Sequence, residues 1–267
     1  MEIGASSSCF YPMETKDSLE EIGKLGIKAT EIFFNADSEL SKEYLKELNI
    51  IRDFYGMRVG SVHPFTSAFE SYFFFSDYKK RFYEMTEYYK KYFSAATEVG
   101  AKYVVIHGAR FPCEISDEEY FERFSYIAEE AKKSGVFAVQ ENVWSTCGAN
   151  PEFLRNMKKY MGENFRLNFD VKQMKKCSLN LCDFLPEFSS DIVNIHVSDN
   201  REGETCLPPG EGEFDFESLF REMKKVNYEG NFLVELYRHN FSSPEDIKKS
   251  CEYLKKKLNI VEKQKIL

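Results

Sequence analysis

Short apolar segments alternate with long amphipathic segments from one end of the chain to the other. The apolar segments predict eight strands, at residues 3–6, 29–34, 57–63, 103–107, 136–141, 165–170, 192–197 and 231–236. The segments between them place apolar residues three and four positions apart, with Lys and Glu between them. This period predicts helices at residues 17–25, 40–55, 78–99, 117–133, 151–161, 216–226 and 244–258.

The predicted strands are apolar on both faces, as parallel strands covered by helices are. Strict alternation of strand and helix indicates a parallel sheet, and eight such units in 267 residues are typical of a closed (β/α)8 barrel. A doubly wound open sheet is the alternative, but it usually has a Gly-x-Gly-x-x-Gly turn after its first strand, and residues 4–8 read Gly-Ala-Ser-Ser-Ser. We therefore predict one TIM-barrel domain over residues 1–267.

The net charge and the cysteine content limit which partners and which cellular compartment we expect. A formal net charge of −8 is unlike that of proteins that bind phosphate backbones by bulk electrostatics, so we expect no nucleic-acid partner. The seven cysteines form no Cys-x-x-Cys pair, which indicates reduced thiols and a cytoplasmic location. We find no signal-peptide pattern, and no apolar stretch approaches the roughly 18 residues of a membrane span. We expect a soluble protein with no membrane partner, and a homo-oligomer is compatible with the sequence.

Most of the predicted strands finish in an ionisable residue. These residues are His63, His107, Glu141, Asp170, His196 and Glu235, and the second strand also carries Glu31. In a barrel all strand C-termini converge on one mouth, where these side chains would form a cluster of imidazole nitrogens and carboxylate oxygens. Such a cluster suits Zn²⁺, Mn²⁺, Co²⁺ or Fe²⁺ better than Ca²⁺, whereas carboxylates without a cation would repel one another. A polar ring that holds ordered water is the alternative interpretation.

The strand ends also carry short motifs in a fixed order. The motifs are Ser-Val-His63-Pro, Val-Ile-His107-Gly, Val-Gln-Glu141-Asn, Asn-Phe-Asp170-Val-Lys-Gln, Asn-Ile-His196-Val-Ser-Asp199, Pro-Pro-Gly210-Glu-Gly212-Glu-Phe-Asp215-Phe and Val-Glu235-Leu. The ordered set spans essentially the whole chain and resembles the xylose isomerase-like TIM-barrel superfamily, in particular its sugar phosphate isomerase/epimerase branch. Each motif alone is a weak pattern, and the set is specific for the superfamily rather than for one reaction.

The resemblance implies a metal centre and a reaction. In this branch a Glu, an Asp, a His and a Glu after strands five to eight hold one divalent ion, and they match Glu141, Asp170, His196 and Glu235. The ion expected is Mn²⁺ or Zn²⁺, with Co²⁺, Fe²⁺ or Mg²⁺ as alternatives. The reaction implied is proton abstraction next to the carbonyl of a sugar, keto-sugar or sugar phosphate. Glu141 and Glu235 are then the catalytic pair, each binding the ion through one oxygen and moving a proton with the other.

Five residues are predicted to bind the substrate, a small sugar or polyol: His63, His107, Gln173, Arg201 and Trp144. Gln173 stands where the branch usually has a His, and Arg201 lies one residue off the spacing of a substrate-binding Arg. The tryptophan ring could pack on sugar C–H groups. Cys147 replaces a further Glu of the epimerases, which puts their known ketose substrates in doubt. We interpret Lys172 as a solvated residue, and the alternative is that it stays near the metal as a positively charged donor.

A glycine-containing segment follows the seventh strand and opens the next helix. Loops at this position in TIM barrels often bind phosphate through backbone N–H groups. Glu211 and Glu213 would repel a phosphate group. We therefore interpret residues 210–215 as a turn and helix cap, with Asp215 as the N-cap, and we favour an unphosphorylated substrate.

Three other functions remain open at the level of sequence. A metal-dependent lyase or dehydratase acting on a keto-sugar or cyclitol begins with the same proton abstraction. A zinc endonuclease-like phosphodiesterase shares the six strand-end residues, but it would need about three more ligands, where this chain has Gln173 and Cys206-Leu-Pro-Pro. A non-catalytic sugar-binding barrel is the third alternative.

Overall fold

The computed structural model describes residues 1–264. The strands are β1 (Glu2–Ser6), β2 (Ala29–Phe33), β3 (Arg58–His63), β4 (Tyr103–Ile106), β5 (Phe137–Glu141), β6 (Leu167–Asp170), β7 (Ile192–Val197), β8 (Asp199–Arg201), β9 (Glu204–Leu207) and β10 (Asn231–Val234). Strands β1 to β7 pair in parallel in chain order, and β10 lies between β7 and β1 and closes a barrel of eight strands. The predicted (β/α)8 barrel is confirmed. The predicted single domain also includes residues 265–267, which lie outside the described residues.

Helices surround the barrel on its outside. They are α1 (Thr15–Lys24), α2 (Lys42–Tyr55), α3 (Glu70–Phe74), α4 (Lys79–Glu98), α5 (Asp117–Lys133), α6 (Pro151–Met161), α7 (Val171–Lys176), α8 (Leu181–Phe188), α9 (Phe216–Lys225) and α10 (Pro244–Lys263). The seven predicted helices are present, and α10 continues beyond its predicted end. The apolar period does not predict α3, α7 and α8, because each is too short to repeat it over several turns. Within the described part of the chain, no helix is long and apolar enough to cross a membrane.

Strands β8 and β9 form a hairpin directly after β7, which the sequence pattern does not predict because both strands are very short. Asp199 fixes the loop that follows the hairpin. Its carboxylate accepts hydrogen bonds from the backbone N–H groups of Gly210 and Phe214, each at 2.9 Å. Asp215 then caps α9 by accepting from the Ser218 N–H at 3.0 Å, so the predicted N-cap is confirmed.

The core has an apolar outer layer and a polar interior. Between helices and strands, large side chains such as Tyr89 and Phe93 of α4 are completely buried. Inside the barrel, the side chain of Asn194 donates to Asn168 Oδ1 at 2.8 Å and to Ser61 Oγ at 3.3 Å. Ser61 and Asn194 belong to β3 and β7, which are not neighbours, so this contact crosses the barrel. A hydrogen-bonded polar layer therefore lies inside the barrel. Asn168 belongs to this layer and also contacts Glu141 of the strand-end cluster.

Candidate active site

The carboxyl ends of the barrel strands open into a cavity of about 490 Å³. Five of the six predicted strand-end residues line this cavity, namely His63, His107, Glu141, Asp170 and Glu235. The sixth, His196, is buried and contacts two of them. The structure therefore brings together all the strand-end residues that the sequence predicts, at one mouth of the barrel.

His196 lies at the centre of this cluster. Its Nδ1 is 3.0 Å from Glu141 Oε1 and 3.5 Å from Glu235 Oε2, and its Nε2 is 3.0 Å from Glu31 Oε2. Burial alone would lower the pKa of this imidazole, but the negative charges of Glu31 and Glu235 raise it well above its usual value. A metal-binding histidine commonly donates its other ring N–H to a carboxylate. With Nε2–H donating to Glu31, Nδ1 is the atom that would bind a cation between the carboxylates.

Glu31 lies inside β2 and is completely buried. Its carboxylate accepts hydrogen bonds from Ser6 Oγ at 3.1 Å and from Ser61 Oγ at 2.7 Å, in addition to facing His196. Burial opposes ionisation of Glu31, but the positive charge on His196 and its hydrogen bond lower the pKa of the carboxyl below its usual value. A carboxylate within an apolar strand is visible in the sequence, whereas its pairing with a residue of β7 is not.

Asp170 ends β6 and caps α7, since its Oδ1 accepts from the Gln173 N–H at 3.0 Å. The Asn142 side chain holds its backbone by accepting from Asp170 N at 2.7 Å and donating to Asp170 O at 3.1 Å. Among residues 1–264, nothing donates a hydrogen bond to its buried Oδ2, although the Lys172 ammonium lies 3.4 Å from it. Burial raises the pKa of Asp170 to about 6, an effect that Lys172 opposes and the neighbouring carboxylates reinforce. A buried carboxylate oxygen without a donor fits a cation ligand.

Within residues 1–264, three groups of side chains have ligand atoms within 4.8 Å of one another and could hold a metal ion. The groups are Glu141 with Asp170 and His196, Glu31 with His196 and Glu235, and His63 with His107 and Glu141. The first two groups share His196 and together contain all four predicted ligands. Carboxylate oxygens with imidazole nitrogens suit Mn²⁺, Zn²⁺ or Fe²⁺. The residues present therefore fit the predicted cation.

The two histidines predicted to line the pocket contact each other. His63 Nε2 and His107 Nε2 are 2.9 Å apart, and His107 Nε2 is 2.9 Å from Glu141 Oε2. Burial alone would lower the pKa of His107, but the hydrogen bond and charge of Glu141 raise it. Phe33 stacks on the His63 ring at 4.6 Å between centroids. Both histidines line the cavity, as expected, and they also form the third group that could hold an ion.

The prediction that Lys172 is solvated is wrong, because its side chain is only 5% exposed, and its position agrees with the alternative of a positively charged donor near the predicted ligands. Its Nζ lies 3.1 Å from Glu235 Oε2 and 3.4 Å from Asp170 Oδ2. Burial raises the pKa of Glu235, but the positive charges of Lys172 and His196 outweigh burial and lower that pKa to about 2. The short helix α7, absent from the sequence prediction, turns the lysine back towards the strand ends.

Of the remaining residues predicted to bind substrate, Gln173 lines the cavity, whereas Trp144 and Arg201 do not. Gln173 lines the cavity, and its Oε1 accepts from the Trp144 backbone N–H at 3.2 Å. The Trp144 side chain is mostly exposed and does not belong to the cavity lining in the described structure. Arg201 lies in the β8–β9 hairpin, where its Nη2 pairs with Glu204 Oε2 at 2.6 Å, also apart from that lining. The structure brings Gln173 to the site but not Arg201.

Several other residues of the cavity wall come from the segments that follow the strands. They are Ser8, Tyr11, Asn35, Phe65, Ser67, Leu236 and Tyr237. Each follows a strand within a few positions, and this position after a strand is the signal that could have identified them. Three of them are aromatic, and their apolar faces suit the C–H groups of a sugar.

The fold and the site define a parallel barrel with a carboxylate and imidazole cluster at the C-terminal ends of its strands. The sequence model described as the xylose isomerase-like TIM barrel matches residues 19–257. The chain therefore belongs to that family, and the predicted family resemblance is confirmed.

Individual proteins and solved structures are also similar to the chain. An uncharacterized protein of Methanocaldococcus jannaschii is 27% identical over 287 aligned positions, which cover 100% of this chain and 94% of that protein. An L-ribulose-5-phosphate 3-epimerase of Shigella flexneri is 33% identical over 69 positions, 25% of this chain and 24% of that enzyme. Among solved structures, a D-tagatose 3-epimerase-like protein has a TM-score of 0.81 and 24% identity, with 98% of each chain covered. This structural likeness shows the fold.

Proposed function

We propose that the protein is a divalent-metal-dependent isomerase or epimerase, which acts on a sugar, keto-sugar or sugar phosphate by moving a proton next to a carbonyl. The observation that carries this proposal is the convergence of Glu141, Asp170, Glu235 and the Nδ1 of His196 at one edge of a cavity open to small molecules. The names of the similar Shigella enzyme and of the structural neighbour support sugar epimerisation.

Glu141, Asp170, His196 and Glu235 would hold the cation. When bound, a divalent ion supplies Lewis-acid polarisation of the substrate carbonyl, which makes the adjacent C–H bond more acidic. His196 is oriented for this task by Glu31, and Asp170 by Asn142 and its cap on α7. The ligand side chains are therefore held in position by hydrogen bonds within the barrel.

The two glutamates differ in how freely they can accept a proton. Both oxygens of Glu141 already take part in close contacts, Oε1 with Asn168 and His196 and Oε2 with His107. Glu235 Oε2 contacts Lys172 and His196, but within residues 1–264 its Oε1 has only a long contact of 3.5 Å with Ser8 Oγ. We therefore assign the first proton removal to Glu235 and its return on the other face to Glu141, with His107 as the proton-sharing partner of Glu141.

The cavity wall supports a small polar substrate. Its volume of about 490 Å³ is within the usual range of ligand pockets. His63, His107 and Gln173 would donate or accept hydrogen bonds with sugar hydroxyls, and Phe33 and Tyr237 would cover apolar faces. Roles for Arg201 and Trp144 in substrate binding stay predictions, because they require the hairpin or the Trp144 ring to approach the cavity.

A second function deserves a test because of the group formed by His63, His107 and Glu141. If this group also holds an ion, the site would resemble that of a multinuclear zinc phosphodiesterase more closely. Gln173 and the Cys206-Leu-Pro-Pro segment do not supply the further ligands which that enzyme class would need. The number of metal ions bound per chain separates the two functions.

The decisive experiment is proton exchange. The protein with Mn²⁺ is incubated in D₂O with ketoses, aldoses, inosose-type cyclitols and their phosphates, and deuterium is located by NMR. We expect deuterium on the carbon beside the carbonyl of at least one compound, with an isomer or epimer as product. Glu235→Gln should abolish exchange, whereas Glu130→Gln, a buried carboxylate on α5 remote from the cavity, should retain it. Metal-loaded protein that incorporates no deuterium into any compound would contradict the proposal, and loss of water from the substrate would instead identify a dehydratase.

A further inference from the structure

Lys172 is a buried cation that the reaction described above does not use. Its Nζ lies between Glu235 Oε2, at 3.1 Å, and Asp170 Oδ2, at 3.4 Å. The ammonium is also 4.8 Å above the ring of Tyr237, and the residue lines the cavity. Lys172 is thus placed between two of the predicted metal ligands and the space open to a substrate.

The charge balance of the site gives this position a chemical meaning. The predicted ligands contribute three carboxylates and one imidazole. A divalent ion held by these ligands would cancel two of their three negative charges, and Lys172, which contacts Asp170 and Glu235, supplies a positive charge against the third. A site with a surplus negative charge would disfavour further negative charge on the substrate, because like charges repel each other strongly away from bulk water.

Proton removal next to a carbonyl creates that negative charge. The C–H proton passes to a carboxylate oxygen, and the electron pair of the C–H bond becomes the C=C bond of an enediolate. The π electrons of the carbonyl move to its oxygen, and return of a proton to carbon reverses these steps. A fixed positive charge beside the cavity stabilises the charged oxygen more than the neutral carbonyl.

We propose that Lys172 is a catalytic residue: its ammonium cancels the surplus charge of the ligand carboxylates and donates a hydrogen bond to the substrate oxygen that becomes negative. This inference rests on the proposed function and deepens it. The substrate it selects carries a hydroxyl beside its carbonyl. One of these two oxygens would interact with the cation that the predicted ligands hold, and the other would accept a hydrogen bond from Lys172. A purely structural lysine would serve only to separate Asp170 and Glu235 in the metal-free protein.

Three variants separate these roles. Lys172→Met removes the charge at nearly the same length, Lys172→Arg keeps the charge, and Lys172→Gln is a second neutral variant that retains a donor. Lys175→Met is the matched control, since Lys175 lies on the same helix but is exposed and does not belong to the cavity lining. Circular dichroism checks that each variant folds. Calorimetry measures Mn²⁺ affinity, and the exchange assay in D₂O gives kcat and KM.

Lys172→Met should bind Mn²⁺ at least about tenfold more tightly than wild type, because it removes a positive charge beside the ligands. Its kcat should fall by about 10²- to 10³-fold, with a smaller change in KM, as for loss of a donor that acts on developing charge. Lys172→Arg should keep the wild-type Mn²⁺ affinity and part of the activity, and Lys172→Gln should resemble Lys172→Met in affinity. Lys175→Met should match wild type in both measurements.

The outcomes distinguish failure of this inference from failure of the proposed function. If the wild-type protein binds no divalent ion, the proposed function fails and the role of Lys172 fails with it. If wild type binds Mn²⁺ but neither neutral variant binds it more tightly, only the charge-balancing role of Lys172 is overturned. A Lys172→Met protein that exchanges deuterium at the wild-type rate would overturn its catalytic role, whatever its metal affinity.

Discussion

Glu31 Oε2 lies 3.0 Å from Nε2 of His196, on the side of the imidazole opposite Glu141 and Glu235. The two residues come from β2 and β7, and the barrel brings them together in its buried interior. The carboxylate fixes the ring orientation and the position of its proton, so that Nδ1 faces the other ligands. Glu31 is thus a positioning residue for the predicted metal centre.

This relationship predicts that Glu31→Gln weakens metal binding without removing a ligand. The neutral amide polarises the imidazole less and can present its NH₂ group to Nε2, which would leave Nδ1 protonated. We expect Mn²⁺ affinity to fall by about 10- to 100-fold, as for other partners of metal-binding histidines. Isothermal titration calorimetry measures the change, and Glu130→Gln serves as a buried carboxylate control outside the site. Equal affinities for Glu31→Gln and wild type would exclude the positioning role.

The barrel and most of the site follow from the sequence because both depend on local patterns. Strand and helix periods are local, and the polar residue that ends a strand is visible beside it, as with Asp170 after Leu-Asn-Phe. Topology alone then carries the strand ends to one mouth. These steps need no knowledge of side-chain contacts, which explains why the positions of Glu141, His196 and Glu235 could be predicted.

Lys172, Arg201 and the pairing of Glu31 could not be predicted in the same way. The burial of Lys172 depends on the direction of a helix only six residues long, which has no periodic signal. Arg201 lies in a hairpin whose register sets its side chain against Glu204. The partner of Glu31 is 165 residues away in the chain, and no local pattern records a contact over that separation.

Replacement of Asp170 should remove most of the increase in thermal stability that Mn²⁺ gives the wild-type protein. A ligand that binds only the folded state stabilises it by about 2.7 kcal/mol at 100 times its Kd, so saturating Mn²⁺ should raise the Tm of wild type by several degrees. Asp170→Asn should lose most of this shift, because a ligand oxygen is replaced by a neutral group. Differential scanning calorimetry with Mn²⁺ and with EDTA measures both.

The metal-free Asp170→Asn protein should be at least as stable as metal-free wild type near neutral pH. Burial raises the pKa of Asp170 to about 6, so ionising it above that pH costs more in the folded than in the unfolded chain. This destabilisation is present above pH 6 and disappears as the pH falls towards the unfolded-state pKa. A variant whose Tm still rises with Mn²⁺ as much as wild type would show that Asp170 is not a ligand.

Metal counting tests the roles of His63 and His107. If they line the sugar pocket, His63→Ala and His107→Ala keep one ion per chain. His63→Ala should raise KM, because hydrogen bonds to substrate are lost from ground state and transition state alike, whereas His107→Ala should also lower kcat, because His107 shares a proton with Glu141. His196→Ala should lose the ion, since its Nδ1 faces two ligand carboxylates. Elemental analysis by mass spectrometry gives the number of ions. Two or more ions in wild type, with loss of one in His63→Ala, would favour the multinuclear phosphodiesterase instead.

A last prediction concerns Cys113 and Cys147, which line a separate cavity of about 420 Å³ beside α5 and α6. The interaction with the Cys147 thiol lowers the pKa of Cys113 to about 7, although partial burial acts in the opposite direction. Because the thiolate is the nucleophile, alkylation of Cys113 should accelerate up to a midpoint near pH 7 and then level off. In Cys147→Ala the midpoint should rise by about one unit or more, since the hydrogen bond to the thiolate is lost. Iodoacetamide labelling followed by peptide mass spectrometry measures the alkylation of Cys113 separately from that of the exposed Cys182. An unchanged midpoint in Cys147→Ala would refute the interaction between the Cys113 and Cys147 thiols.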